Sequence, residues 1–265
     1  MMNIIRADMY AILRGKAVYI TFGALLLLHV LVIGTQGIGG INFIGVEGAN
    51  NFEMPDIGFD GARSAALLYT RTDNTIFFML PLIILAAAPI FTFGTVKNDV
   101  AWGICRTKLY LSKLIVSLGL CVLLMLLYMG AGMLLATVLN GFGGPVPSEY
   151  WINLFQTVGA QLFMMFAVTC FGVFLVFTSK NTTIATSLYI GIFIIPSMVI
   201  MLLLDAGVNV IWLLDFDLMM GVNRLGFFDQ LETRTILTTL GVGAGYILVT
   251  TMGGIALFRR AEIKC

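Results

Sequence analysis

The sequence predicts an all-α polytopic membrane protein, a single transmembrane domain over residues 1–265, and three observations carry that prediction. Apolar residues make up 59% of the chain and charged residues 11%, with a mean hydropathy of +0.99, where a soluble domain carries roughly 25% charged residues. Six stretches are long enough to cross the hydrocarbon core as helices and contain no Asp, Glu, Lys or Arg. The remaining charges are sorted by sign between alternate loops. A net charge of +1 gives no basic excess for nucleic acid, so any role lies in where the charges sit.

The opening MNIIRADMYAILRGKAVYI reads as a short amphipathic helix leading into the first stretch, because Ile5, Met9, Ile12 and Leu13 share one face while Arg6, Asp8 and Arg14 avoid its centre. The six stretches follow at about residues 17–36, 75–96, 114–136, 154–178, 182–204 and 236–258. The first exceeds the usual apolar run of a secretory signal and no small-x-small cleavage site follows it, so it is expected to remain as a helix. Pro81, Pro89 and Pro196 fall inside stretches, with kinks expected near Pro89 and Pro196.

Loop charge sets the orientation. One face collects Arg6, Arg14, Lys16, Lys97, Arg106, Lys108, Lys113, Lys180, Arg259, Arg260 and Lys264; the other has Arg63, Arg71, Arg224 and Arg234 with most of the acids. The positive-inside rule then places both termini in the cytoplasm of a cell that holds the protein in its plasma membrane. Trp102, Trp151 and Trp212 all fall near expected interfaces.

The stretch KNDVAWGICRTKLYLSK, residues 97–113, becomes a cytoplasmic loop under this orientation. It is amphipathic rather than simply polar: Val100, Ala101, Trp102, Ile104, Leu109 and Leu111 alternate with Asp99, Arg106 and Lys108. Such a segment lies on a membrane surface or against a partner, with Gly103 as a bend.

Signals for chemistry are few. His29 is the ionisable residue within the stretches, and a lone imidazole in an apolar helix is expected to be a hydrogen-bonded structural residue. No H-E-x-x-H, G-x-S-x-G or G-x-x-x-x-G-K-[ST] occurs, which argues against a zinc hydrolase, a serine hydrolase and an ATP site on this chain. Cys105, Cys121, Cys170 and Cys265 are far apart and read as ordinary small residues, with no catalytic, metal or cofactor-binding set among them. The acceptor-like Asn181-Thr182-Thr183 falls in a short cytoplasmic turn and is read as accidental. Gly241 and Gly245 form a small-xxx-small patch suited to close helix packing.

In layout the chain resembles the permease subunit of a type-2 ABC (ABC-2) transporter, the six-span kind driven by a separate ATPase. The resemblance rests on the opening MNIIRADMYAILRGKAVYI, on residues 93–115 and on residues 205–235. In FGTVKNDVAWGICRTKLYLSKLI an acidic residue, a glycine, a basic residue and an SK-L entry into the third span occupy the family's places, as Asp99, Gly103, Arg106 and Ser112-Lys113-Leu114. The family often has Glu at Asp99 and Pro with Ser-Arg where this chain has RTKLY.

The resemblance implies that residues 97–110 form a coupling helix seated on the ATPase, with Asp99, Trp102, Gly103, Ile104, Arg106 and Leu109 as coupling residues. It also implies ABC ATPase subunits carrying the ATP and Mg, a second permease copy or paralogue, and surrounding membrane lipids as partners. Residues 205–235 are then either short helices dipping back into the outer leaflet or an amphipathic helix on its surface, with Asp205, Asp215 and Asp217 at the aqueous rim. Spans without charge suit export of a hydrophobic or amphipathic compound such as an antimicrobial peptide. Membership of an uptake system, or a non-transporting scaffold or sensor role, are the other classes the sequence leaves open.

Overall fold

The computed structural model describes residues 2–34, 58–92, 94, 102, 104–208 and 210–260. Its helices are α1 (Met2–Arg14), α2 (Lys16–Gly34), α3 (Ser64–Thr70), α4 (Thr75–Ala87), α5 (Pro89–Thr92), α6 (Arg106–Asn140), α7 (Ser148–Ser179), α8 (Thr182–Asp205), α9 (Leu218–Arg224) and α10 (Thr233–Arg260). Five of them, α2, α6, α7, α8 and α10, are long and apolar enough to cross a membrane. The chain is therefore an all-α, polytopic membrane protein.

α7 stands at the centre, packed against α3, α4, α6, α8, α9 and α10. Small residues set how closely its neighbours approach. At Gly172 an added Cβ would lie 2.6 Å from Ile83 Cδ1 and 3.1 Å from the Tyr189 ring, which brings α4 and α8 onto α7. Gly243 admits the Met164 side chain between α10 and α7, and Gly254 admits the Tyr110 hydroxyl between α10 and α6. Gly241 and Gly245 occupy a different face of α10, where an added Cβ meets nothing within 4 Å.

The bundle has two chemically distinct ends. At the basic end lie α1, the start of α6, the α7–α8 turn and the end of α10. There Lys180 takes a left-handed backbone (φ 52°), and Asn181 caps α8 by accepting from the amides of Thr183 and Ile184 at 2.9 and 3.4 Å. The acceptor-like tripeptide is thus a helix start. At the acidic end lie the α6–α7 connection and residues 205–235.

A broken helical segment joins the two ends. At the acidic end the amides of Gly61 and Ala62 donate to Gly141 O and Phe142 O, at 2.9 and 3.1 Å. At the basic end Phe91 packs edge-on to Phe177, with ring centroids 5.3 Å apart. Between them run α3, a tight 3-10 turn at Thr72–Asn74, α4 and α5, with breaks after Thr70 and at Ala88 before Pro89. Hydropathy alone starts this stretch at residue 75, because Arg71, Asp73 and Asn74 interrupt the apolar run. α8 continues through Pro196 as one helix.

Residues 205–235 fold onto the bundle as a 3-10 turn (Ile211–Phe216), α9 and a second 3-10 turn (Leu225–Gln230). Met219, Val222 and Leu225 are fully buried, and α9 packs on α7 and on the Thr72–Asn74 turn. Asp205 and Asp215 stay exposed while Asp217 is drawn inward.

The two sets of glycines should respond oppositely to a methyl group. Gly254→Ala is expected to destabilise by about 1–3 kcal/mol, because the methyl collides with the Tyr110 hydroxyl. Gly241→Ala and Gly245→Ala should be neutral, or stabilising by up to ~1 kcal/mol, from helix propensity. Circular-dichroism melting of the monomer in detergent measures both, and equal responses would refute this packing.

Candidate functional site

The sequence-derived coupling residues cluster where α6 begins. Asp99 and Gly103 lie outside the described residues; the others are placed at or near the first turns of α6. Trp102 is 87% exposed, whereas Ile104 packs against the core and Leu109 is fully buried. Arg106 sits at the N-terminus of α6, where a cation is disfavoured by the helix dipole, yet its guanidinium donates to Arg259 O at 3.1 Å, near the carbonyl end of α10 where a cation is favoured.

Two turns further on, Lys113 Nζ donates to Asp8 Oδ2 of α1 at 2.8 Å, with the lysine side chain 7% exposed. α1 is itself set on the bundle by buried Ile12 and by Ile5 and Met9, and it turns into α2 at Gly15, whose amide donates to Ile12 O. Tyr110 fills the space between α6, α7 and α10, edge-on to Phe177 at 4.7 Å. The ends of α1, α6 and α10 are thus tied together around the start of α6.

A second polar constellation lies inside the bundle, at the break between α3 and α4. Breaking a helix there frees backbone carbonyls that lipid cannot satisfy. Side chains from neighbouring helices take up the role. Tyr128 of α6 shares its hydroxyl proton between Leu68 O and Arg71 O, each at 3.1 Å. Gln161 of α7 donates to Tyr69 O at 2.7 Å and to Val222 O at 3.2 Å, and its Oε1 accepts from Thr72 Oγ1 at 3.0 Å. Thr70 and Thr75 donate back to Ala66 O and Thr72 O.

Asp73 sits in this turn with 7% exposure; Arg71 and the Asn223 side chain of α9 are the groups that act on its carboxylate, while its Oδ1 accepts no hydrogen bond. Gly226 lies against Tyr69 O and Thr70 Cα, where an added Cβ would stand 3.0 and 3.2 Å away, so the 205–235 segment closes over the break. His29 belongs to the same layer: Nδ1 donates to Leu25 O at 2.8 Å, the ring stands edge-on to Tyr128 at 4.9 Å, and Gly132 leaves it room.

Arg71, Asp73, Tyr128, Gln161 and Asn223 were not singled out by sequence reasoning. The signal present was the run TRTDN directly after the apolar AALLY, together with a Gln and a Tyr inside otherwise apolar helices. Compared with known proteins, the chain matches no protein-family model and no curated protein.

Tyr128→Phe keeps the ring packing and removes only the shared proton, so it should lower stability by about 0.5–1.5 kcal/mol, the net worth of one hydrogen bond, since Leu68 O and Arg71 O each keep a backbone amide donor. Tyr10→Phe, at a position 60% exposed, should change stability by less than ~0.5 kcal/mol. Melting curves of the two variants in detergent decide the point; a Tyr128→Phe curve overlying that of Tyr10→Phe would show that the break does not depend on this bond.

Proposed function

We propose that the chain is the membrane-spanning permease subunit of an ATP-driven ABC-2 exporter. On this reading the broken crossing counts with the five long helices as a sixth, and both termini and the basic end face the cytoplasm of the plasma membrane. ATP and Mg belong to separate ATPase subunits, a second copy or paralogue completes the pathway, and the cargo is a hydrophobic or amphipathic compound such as an antimicrobial peptide.

The observation that carries the reading is the knot at the base of α6. A loop that only anchored the protein by positive charge would have no need of a rigid connection to the bundle. Here the residues following it are bonded to α10 through Arg106–Arg259 and to α1 through Lys113–Asp8, while Leu109 and Tyr110 are locked in the core. A push on residues 97–105 would therefore move the ends of α1, α6 and α10 together, which is what coupling to an ATPase requires. Trp102, almost fully exposed beside this knot, is placed to enter a partner's groove.

Mild-detergent pull-down of the tagged chain from its native membrane, with mass spectrometry of what co-purifies, tests the proposal. A stoichiometric P-loop ATPase is expected, and it should be lost when Trp102→Ala is combined with Asp99→Lys and Arg106→Glu. A protein that reaches the membrane and brings down no ATPase, or whose ATPase binding survives the triple variant, would refute coupling through this loop.

A further inference from the structure

α8 and α10 both pack on α7 but scarcely touch each other, and the space between them is a cavity of about 450 Å3. Its walls are Phe171 of α7, Phe193, Pro196 and Ile200 of α8, and Tyr246 of α10; residues 211–218 close its end near the acidic rim. The size suits a small organic molecule. Its mouth lies on the α8 side, where Pro196 and Val199 are exposed.

An apolar cavity on the flank of a membrane bundle would ordinarily take an acyl chain. This one has a carboxylate in its wall. Asp217 Oδ1 caps α9 by accepting from the amides of Met219 and Met220 at 2.8 and 3.3 Å, and Oδ2 accepts from Ser197 Oγ at 2.6 Å. These three neutral donors use most of the roughly four acceptor positions of a carboxylate and stabilise it in part, but they supply no counter-ion. Among the described residues, Asp217 forms no ion pair, although Asp215 is paired with Arg224 at 2.6 Å and Asp8 with Lys113.

A charge without a counter-ion beside hydrocarbon is costly and is retained where it binds something. The rest of the wall agrees with a positive occupant. Phe171 has Phe193 and Tyr246 edge-on around it, at 5.9 and 6.2 Å between centroids, and aromatic rings attract cations. The Tyr246 hydroxyl donates to Phe216 O at 3.2 Å, which fixes the ring at the cavity wall. The segment 205–235 that closes the cavity carries five acids against two arginines.

We propose that this cavity is a binding site for a lipophilic cation, its apolar body between α8 and α10 and its positive group beside Asp217 and the aromatic rings. As the cargo site it rests on the permease reading; as a cation site it stands without an ATPase.

The test uses the full chain in phosphatidylcholine nanodiscs, titrated with ethidium as a permanent cation and N-phenyl-1-naphthylamine as a neutral probe of similar bulk. Ethidium should bind saturably. Asp217→Asn keeps an oxygen to cap α9 and should weaken ethidium about tenfold or more, with the neutral probe unchanged. Val199→Trp, at an exposed position at the mouth, should block both probes without disturbing the core. Ethidium affinity unaffected by either variant, or binding of the neutral probe alone, would overturn the proposal in favour of an uncharged occupant such as an acyl chain. Asp217-dependent ethidium binding by a chain that brings down no ATPase would uphold the cation site and remove only its cargo role.

Discussion

The structure depends on one constraint: a backbone carbonyl placed in hydrocarbon must find a donor within the protein. The five long helices answer it internally for most of their length, and the broken segment of α3 and α4 does not. Its break at residues 71–74 releases carbonyls in the bundle interior, and Tyr128, Gln161 and the threonines of that turn take them up. These donors come from α6, α7 and the turn itself, so the break fixes the spacing of the central helices. The segment carrying α9 contributes Val222 O and Asn223 from above. A polar network of this kind is stable only when nearly all its members are satisfied, and the shell of Gly132, Gly226 and Leu225 that closes around it excludes water and lipid.

The two ends of the bundle use charge differently. At the basic end Arg106 and Lys113 are spent on contacts that join helices. Each bond spans elements distant in sequence, so α1, α6 and the last helix are joined to one another. Near the acidic end Arg224 is held by Asp215, whereas Asp217 is committed to neutral donors. One end therefore uses its charges to join helices, and the other leaves a carboxylate on neutral donors.

The connecting element is α7 together with α6, which runs 35 residues, roughly 52 Å, from the basic knot to the acidic connection. Tyr110 and Tyr128 lie on that one helix, the first in the basic knot and the second in the polar break. α8 and α10 lack this cross-bracing, and the space they leave is where the cavity forms.

The sequence by itself determined the membrane class and the sign asymmetry of the two ends, because long apolar runs and loop charges are properties of consecutive residues. It also marked the amphipathic character of the loop ahead of α6 and the face of α1 that carries Ile5, Met9 and Ile12, since helical periodicity is local. Only the tertiary structure decided that residues 69–74 belong to a turn inside the bundle rather than to an outer loop, for the carbonyls of Tyr69 and Arg71 meet donors on helices 92 and 57 residues away. Likewise, nothing local separates Gly243 from Gly241 and Gly245: the first faces Met164, and the others face open space, according to how α10 is rotated on α7. Asp217 reads as one acid among several until Ser197, Phe171 and Tyr246 are brought beside it. Which polar residue is a cost and which is a site depends on partners that the order of residues does not bring together.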